Sequence, residues 1–215
     1  MTSTQLEQLL TSYQQKQTAI RTRLDEFSSL QKSPDNSRLF EELAYCIFTA
    51  GASARMGLNS VLRVRTLLQT GSQEEIHQAL IGAHRYPNAR AGYLVTARKF
   101  LLQDCQLKLS DRLHSLSDDF QARRDFFVTN IKGIGYKEAS HFLRNIGFRG
   151  YAILDKHILK TLCEFGVIPS VHAPTTKKNY ILIEERMRNF AFEININFDE
   201  LDLLLWSNKT GEILK

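Results

Sequence analysis

Only 4 prolines occur among 215 residues. Proline is the residue that ends or kinks a helix, so most of this chain is free to stay helical. Strand-like alternation is almost as scarce. One stretch, residues 192–198 (Phe-Glu-Ile-Asn-Ile-Asn-Phe), alternates cleanly. With helical patterns on both sides, it is expected to be an extended connector rather than a strand in a sheet. Cysteine is thinly spread: Cys46, Cys105 and Cys163 lie 59 and 58 residues apart, which excludes the close-spaced pairs of a zinc site or a redox motif. Each sits in an apolar helical context, where a buried, reduced thiol is expected, as in an intracellular protein without structural disulfides. The polar, glutamine-rich opening from Met1 to Lys16 shows no signal-peptide pattern. The uncharged stretch from Leu43 to Ser53 is far too short to cross a bilayer. Internal repeats and low-complexity linkers are missing as well.

What is present is a composition of 43% hydrophobic and 24% charged residues, the balance of a soluble globular protein with a sizeable core. Helix formers dominate, so the expected fold class is all-α. The formal net charge of +5 suits a polyanionic partner without demanding one.

Apolar residues recur near a 3.6-residue period along most of the chain. Leu6, Leu9, Leu10, Tyr13, Ile20, Leu24 and Phe27 predict one long amphipathic helix that stops before the turn cluster Ser33-Pro34-Asp35-Asn36. Leu39 to Ala50 reads as a strongly buried helix, and Arg55 to Leu68 as another, closed by Thr70-Gly71. Ser72-Gln73-Glu74-Glu75 has the pattern of a capping box and opens a short helix through Leu80. Asn88, after the break at Tyr86-Pro87, is expected to cap a helix to about Leu102. Asp118 or Asp119 starts the next. Pro169 to Pro174 reads as a loop, Thr175 or Thr176 as the start of a helix to about Phe192, and Asn197 to Trp206 as the last helix.

Chemistry concentrates between residues 130 and 158. Asp125 to Ile131 is helical in pattern, Gly133-Ile134-Gly135 can only be a tight turn, and Tyr136 to Ile146 is a second helix that ends at Gly147. Glycine lets a backbone approach a ligand closely, and the unpaired amides of a helix's first turn can hold a phosphate. The same glycines would equally suit a plain αα-hairpin. Lys137 falls in the first turn of the second helix, where the dipole disfavours a cation. Phosphate contact or chemistry by a neutral amine would explain it; so would simple solvation. Asp155 follows the apolar run Tyr151-Ala152-Ile153-Leu154 and immediately precedes Lys156-His157-Ile158-Leu159. It can be the N-cap of that helix, a role compatible with catalysis because a cap fixes the carboxylate in space.

A hairpin of the form Ile-Lys-Gly-Ile-Gly-Tyr-Lys, followed eighteen residues after its lysine by the aspartate of Leu-Asp-Lys-His, resembles the helix-hairpin-helix superfamily of DNA base-excision glycosylases. Within it the chain most resembles the type 2 8-oxoguanine DNA glycosylase/AP lyases. The similarity extends through Phe40-Glu41-Glu42-Leu43, Cys46-Ile47-Phe48-Thr49-Ala50, Arg85-Tyr86-Pro87-Asn88-Ala89-Arg90-Ala91 and the end from Leu205-Trp206-Ser207 to Gly211-Glu212-Ile213-Leu214-Lys215. The segment between hairpin and aspartate has glycines at 147 and 150 but no proline. No cysteine follows Cys163, which argues against the iron–sulfur endonuclease III branch.

The resemblance implies two helical subdomains, approximately 35–130 and 131–215, with the N-terminal helix 1–33 packing on the latter and an active site in the cleft between them. It implies a monomeric cytoplasmic enzyme that acts on damaged double-stranded DNA, with no cofactor, metal or membrane. Lys137 would attack sugar C1′ and form a Schiff base, and Asp155 would stabilise the cationic centre. Gly133, Ile134 and Gly135 would hold the DNA backbone. Trp206 would stack on a flipped base, and the terminal carboxylate of Lys215 would read N7–H of 8-oxoguanine. A non-catalytic helix-hairpin-helix DNA-binding module, or a glycosylase for another damaged base, remains open on sequence alone.

Overall fold

Side chains that can cap a helix recur just ahead of the apolar periodic runs, and most of them do so in the computed structural model, which describes residues 3–116 and 119–214. The described residues form α1 (Ser3–Lys32), α2 (Asn36–Thr49), α3 (Ala54–Val64) with a short 3-10 turn (Arg65–Leu67), α4 (Gln73–Leu80), α5 (Pro87–Cys105), α6 (Leu109–Ser115), α7 (Phe120–Asn130), α8 (Tyr136–Asn145), α9 (Lys156–Glu164), α10 (Lys177–Glu193) and α11 (Phe198–Thr210). No strand occurs among them, and no helix among them is long and apolar enough to cross a membrane. Asp35 accepts from the Ser37 and Arg38 amides, Ser72 and Glu75 close a reciprocal capping box, and Asp119 accepts from Gln121 N–H. Asp118, the alternative start of α7, lies outside the described residues.

The chain divides into a continuous unit, residues 29–146, and a discontinuous one, residues 1–28 with 147–215. The break therefore falls after Ile146, not near residue 130 as expected. Its cause is the core: α8 buries Phe142 and Leu143 with Ile146, its Phe142 ring packs at 4.7 Å from Phe127 of α7, and Asn145 donates to Glu42 of α2 at 3.3 Å. The chain leaves the unit only at Gly147, whose φ of +99° is the left-handed conformation of a helix terminator.

In the continuous unit α2 is buried on almost every face, so the unpaired carbonyls at its C-terminus need donors. The segment from His84 to Arg90 supplies them. His84 Nε2 lies 2.8 Å from Phe48 O, Arg85 donates to Gly51 O at 2.8 Å, and Arg90 donates to Ala50 O. Tyr86 N–H donates to His84 Nδ1 at 2.9 Å, which assigns the ring proton to Nε2. Burial lowers the pKa of His84, and the nearby Arg90 and Arg85 act in the same direction against the Phe48 bond. Arg98 plays the same capping part for the end of the next helical stretch, donating to Leu67, Leu68 and Gly71 carbonyls. Pro87 occupies the first turn of α5 and no side chain caps it. Asn88 is therefore not the cap: its Oδ1 accepts from Gln73 at 3.4 Å instead. A helix that starts on proline has one fewer amide to satisfy.

In the discontinuous unit α11 is buried along nearly its whole length. Glu200, in its first turn, accepts from Tyr13 Oη at 2.5 Å and from Arg21 Nε at 3.0 Å, tying α1 to α11. Residues 192–198 are not an extended connector. The first two finish α10, Asn195 adopts φ +54°, and Ile196 N–H returns to Ala191 O at 3.0 Å. Asn197 then caps α11 by accepting from Asp199 and Glu200 amides. The alternation arises because a helix end and a left-handed turn bury Ile196 and Phe198 while Phe192 is 87% exposed.

Candidate active site

The turn between α7 and α8 is built on one left-handed residue. Gly133 has φ +88°, and a Cβ placed there would lie 2.5 Å from Cδ2 of Tyr93, so both conformation and space require glycine. Ile134 is buried, and its N–H donates to Ile131 O at 3.1 Å. Gly135 is the N-cap of α8, and its N–H donates to Glu138 Oε2 at 3.2 Å. Of the three turn residues expected to hold a DNA backbone, two thus spend their amides inside the protein. The first intrahelical bond of α8 runs from Ala139 N–H to Gly135 O, so the Lys137 and Glu138 amides have no acceptor in their own helix. Two cations flank the turn over the Tyr93 ring: Arg90 Cζ at 5.4 Å and Lys132 Nζ at 5.6 Å from its centroid. Their charge adds to the positive end of the helix dipole.

The arms of the hairpin are locked from within. Arg124 on α7 is fully buried and donates to Ser140 Oγ on α8 at 3.1 Å. Ser140 donates in turn to Tyr136 O at 2.8 Å, and Tyr136 Oη to Asp125 at 3.2 Å. Lys137 is carried on this frame with its side chain 25% exposed, and its Nζ is 3.0 Å from Glu138 Oε1. One carboxylate therefore meets two needs: one oxygen takes the Gly135 amide and the other pairs the lysine. Glu138 went unnoticed in the sequence, although glutamate three residues after an N-cap is a recognisable signal.

Asp155 lies in the other unit, and it is the N-cap of α9. Its Oδ1 accepts from His157 N–H at 2.8 Å and Ile158 N–H at 2.9 Å. The preceding run, Tyr151 to Leu154, is buried outside any helix, and no strand occurs among the described residues to pair with it. Buried backbone amides must still be bonded, and side chains of α10 and α11 do it. Asp199 accepts from Gly150 N–H at 2.9 Å, Glu184 from Ala152 N–H at 2.9 Å and Asp202 from Ile153 N–H at 3.0 Å. Tyr180 Oη donates to Ala152 O at 2.7 Å. The sequence reading missed these acids; the signal was Asp202 amid Leu201, Leu203, Leu204 and Leu205.

Trp206, on α11, keeps part of its surface exposed while Leu203, Leu204 and Leu205 before it are buried. Lys215, the other residue expected to read the base, lies outside the described residues. Gly133, Ile134, Gly135 and Lys137 thus share one hairpin of the continuous unit, and Asp155 and Trp206 belong to the discontinuous unit. No group of three or more His, Cys, Asp or Glu residues able to hold a metal ion occurs among the described residues.

A family model described as 8-oxoguanine DNA glycosylase matches residues 20–196. The 8-oxoguanine DNA glycosylase/AP lyase of Methanocaldococcus jannaschii is 38% identical over 194 residues, covering 90% of each chain. Among solved structures, the 8-oxoguanine DNA glycosylase of Thermotoga maritima superposes with a TM-score of 0.87 at 36% identity, covering 98% of both chains. The M. jannaschii enzyme in complex with a 15mer DNA containing 8-oxoguanine gives a TM-score of 0.86 at 36% identity, over 97% of this chain and 100% of that one.

Proposed function

This chain belongs to the 8-oxoguanine DNA glycosylase family, and on that premise we propose that it excises 8-oxoguanine from double-stranded DNA and cleaves the strand at the resulting abasic site. The observation that carries this reading is Lys137: a partly buried amine at the N-terminus of a helix, on a hairpin whose turn is positively charged. A backbone phosphate accepts from the Lys137 and Glu138 amides, and Arg90 and Lys132 add charge on the same side.

The target base leaves the helical stack before it is cut. Lys137 Nζ attacks C1′ as the bond to the base breaks, giving a Schiff base after ring opening. Proton loss from C2′ then expels the 3′ phosphate by β-elimination. Asp155 stabilises the cationic sugar and receives the proton that the lysine gives up. Its Oδ1 is committed to the helix cap, so Oδ2 does this work. Trp206 offers the flipped base a stacking face, a role supported by its partial exposure beside three buried leucines.

Borohydride trapping on duplexes containing 8-oxoguanine, uracil or thymine glycol tests the reading. Adducts are expected with 8-oxoguanine, none with Lys137→Gln, and a loss of most excision with Asp155→Asn. Lys137→Gln should still bind DNA. Trapping by that variant at wild-type yield would transfer the chemistry to another amine.

A further inference from the structure

Asp155 depends on a backbone strap that cannot hold itself. Residues 151–154 belong to no helix and are buried, yet no strand occurs among the described residues to pair with them. Their register along α10 and α11 is set instead by two buried carboxylates: Glu184, 2% exposed, on the Ala152 amide and Asp202, 1% exposed, on the Ile153 amide. Tyr180 closes the gap between them, donating to Ala152 O at 2.7 Å and accepting from Leu154 N–H at 3.4 Å. The next residue is Asp155, whose own N–H turns back to Ile153 O at 2.7 Å. Two consecutive amides taken by acids from two different helices fix the strap along its length and against rotation. In a β-sheet the same job falls to a neighbouring strand, whose carbonyls are neutral and weaker acceptors.

We infer that Glu184 and Asp202 are positioning residues for the reaction, holding the strap so that the Asp155 carboxylate stays where the cationic sugar forms. This rests on the role assigned above to Asp155. Burying acids under a leucine-rich helix is costly unless they are bonded, and each of these two bonds an amide of the residues leading into Asp155. A displacement of about 1 Å at a reacting group can cost on the order of a hundredfold in rate, so loosening the strap acts on turnover rather than on DNA binding.

The test uses the full chain on 8-oxoguanine duplex under single-turnover and steady-state conditions, below the melting temperature of each variant. Asp202→Ala is expected to lower kcat roughly tenfold or more with KM within about twofold, and Asp202→Asn, whose amide oxygen still accepts from Ile153 N–H, to recover most of the loss. Binding of Lys137→Gln/Asp202→Ala to the duplex should equal that of Lys137→Gln alone. If Asp202→Ala does not fold, Tyr180→Phe decides, with an expected loss of severalfold in kcat at unchanged KM. Wild-type kcat in a folded Asp202→Ala, or in Tyr180→Phe when Asp202→Ala is unfolded, together with an inactive Asp155→Asn, overturns the strap while sparing Asp155. Full excision by Asp155→Asn overturns the role of Asp155 and the strap's with it.

Discussion

The hairpin and the strap each carry one of the two residues proposed to do the chemistry, Lys137 and Asp155, and they are held in opposite ways. Lys137 sits in a local structure: the glycine turn, the Arg124–Ser140 bond, the Tyr136–Asp125 bond and the Glu138 latch all join residues within about sixteen positions. Asp155 sits on a segment whose amides are answered by residues 26 to 49 positions further along the chain. A locally closed element can be rigid as soon as its own helices form, whereas the strap has no geometry of its own until α10 and α11 pack.

Two glycines break this comparison most sharply. Gly133 in the hairpin turn and Gly150 at the start of the strap have nearly the same φ, +88° and +87°, but an added Cβ would meet Tyr93 at 2.5 Å in the first case and nothing nearer than Arg188 at 4.0 Å in the second. Gly133→Ala is expected to cost about 3 kcal/mol in urea unfolding and to abolish duplex binding. Gly150→Ala should cost about 1 kcal/mol. Equal losses would mean that the crowded turn matters no more than backbone conformation alone.

The cap comes next in size. Asp155→Ala removes the acceptor for two α9 amides and should lower stability by about 1 kcal/mol, while Asp155→Asn should be nearly neutral. Both should lose excision. Thermal melts alongside the excision assay separate the cap from the chemistry, and retained excision in either variant would leave Asp155 with the structural duty alone.

The smallest effect concerns pH and the unit that carries the hairpin. His84 is held neutral, donating to Phe48 O and accepting from Tyr86 N–H, and burial lowers its pKa. The unfolded chain then binds a proton more readily than the folded one. Stability from His84 is complete above its ordinary value of about 6.5 and is lost as pH falls below it. The urea midpoint should drop between pH 7.5 and 5.5, and His84→Gln should flatten that dependence. An identical slope in both proteins would show that other groups set it.

The contrast also explains what could be read from the sequence. Helices announce themselves locally, through apolar spacing and caps such as Ser72 and Asp155, and Gly133-Ile134-Gly135 is a turn by composition. The places of Lys137 in the first turn of α8 and of Asp155 at the N-cap of α9 were legible for the same reason: each lies beside a short-range signal. Glu184, Asp199 and Asp202 were not, because an acid in a helix looks like a solvated face until its distant amide is known. The short α6 passed unseen because only Leu109 and Leu113 mark its buried side. Residues 192–198 misled because a left-handed residue between two helices imitates a period of two. The unit boundary was misplaced because the glycines of the hairpin resemble a linker, whereas the link is at Gly147.

The division of the chain has a consequence for its synthesis. Residues 29–146 form one unit, but residues 1–28 belong with 147–215, so α1 is made before the continuous unit yet finds its place only after it. Leu9, Ile20, Leu24 and Phe27 are buried in the finished protein, and the rest of their unit does not exist until the continuous one has been made. The inserted unit can close first, because residues 29–146 are contiguous in the chain. For that interval Tyr13 and Arg21 of α1 wait for Glu200 of α11, the carboxylate that both will bond.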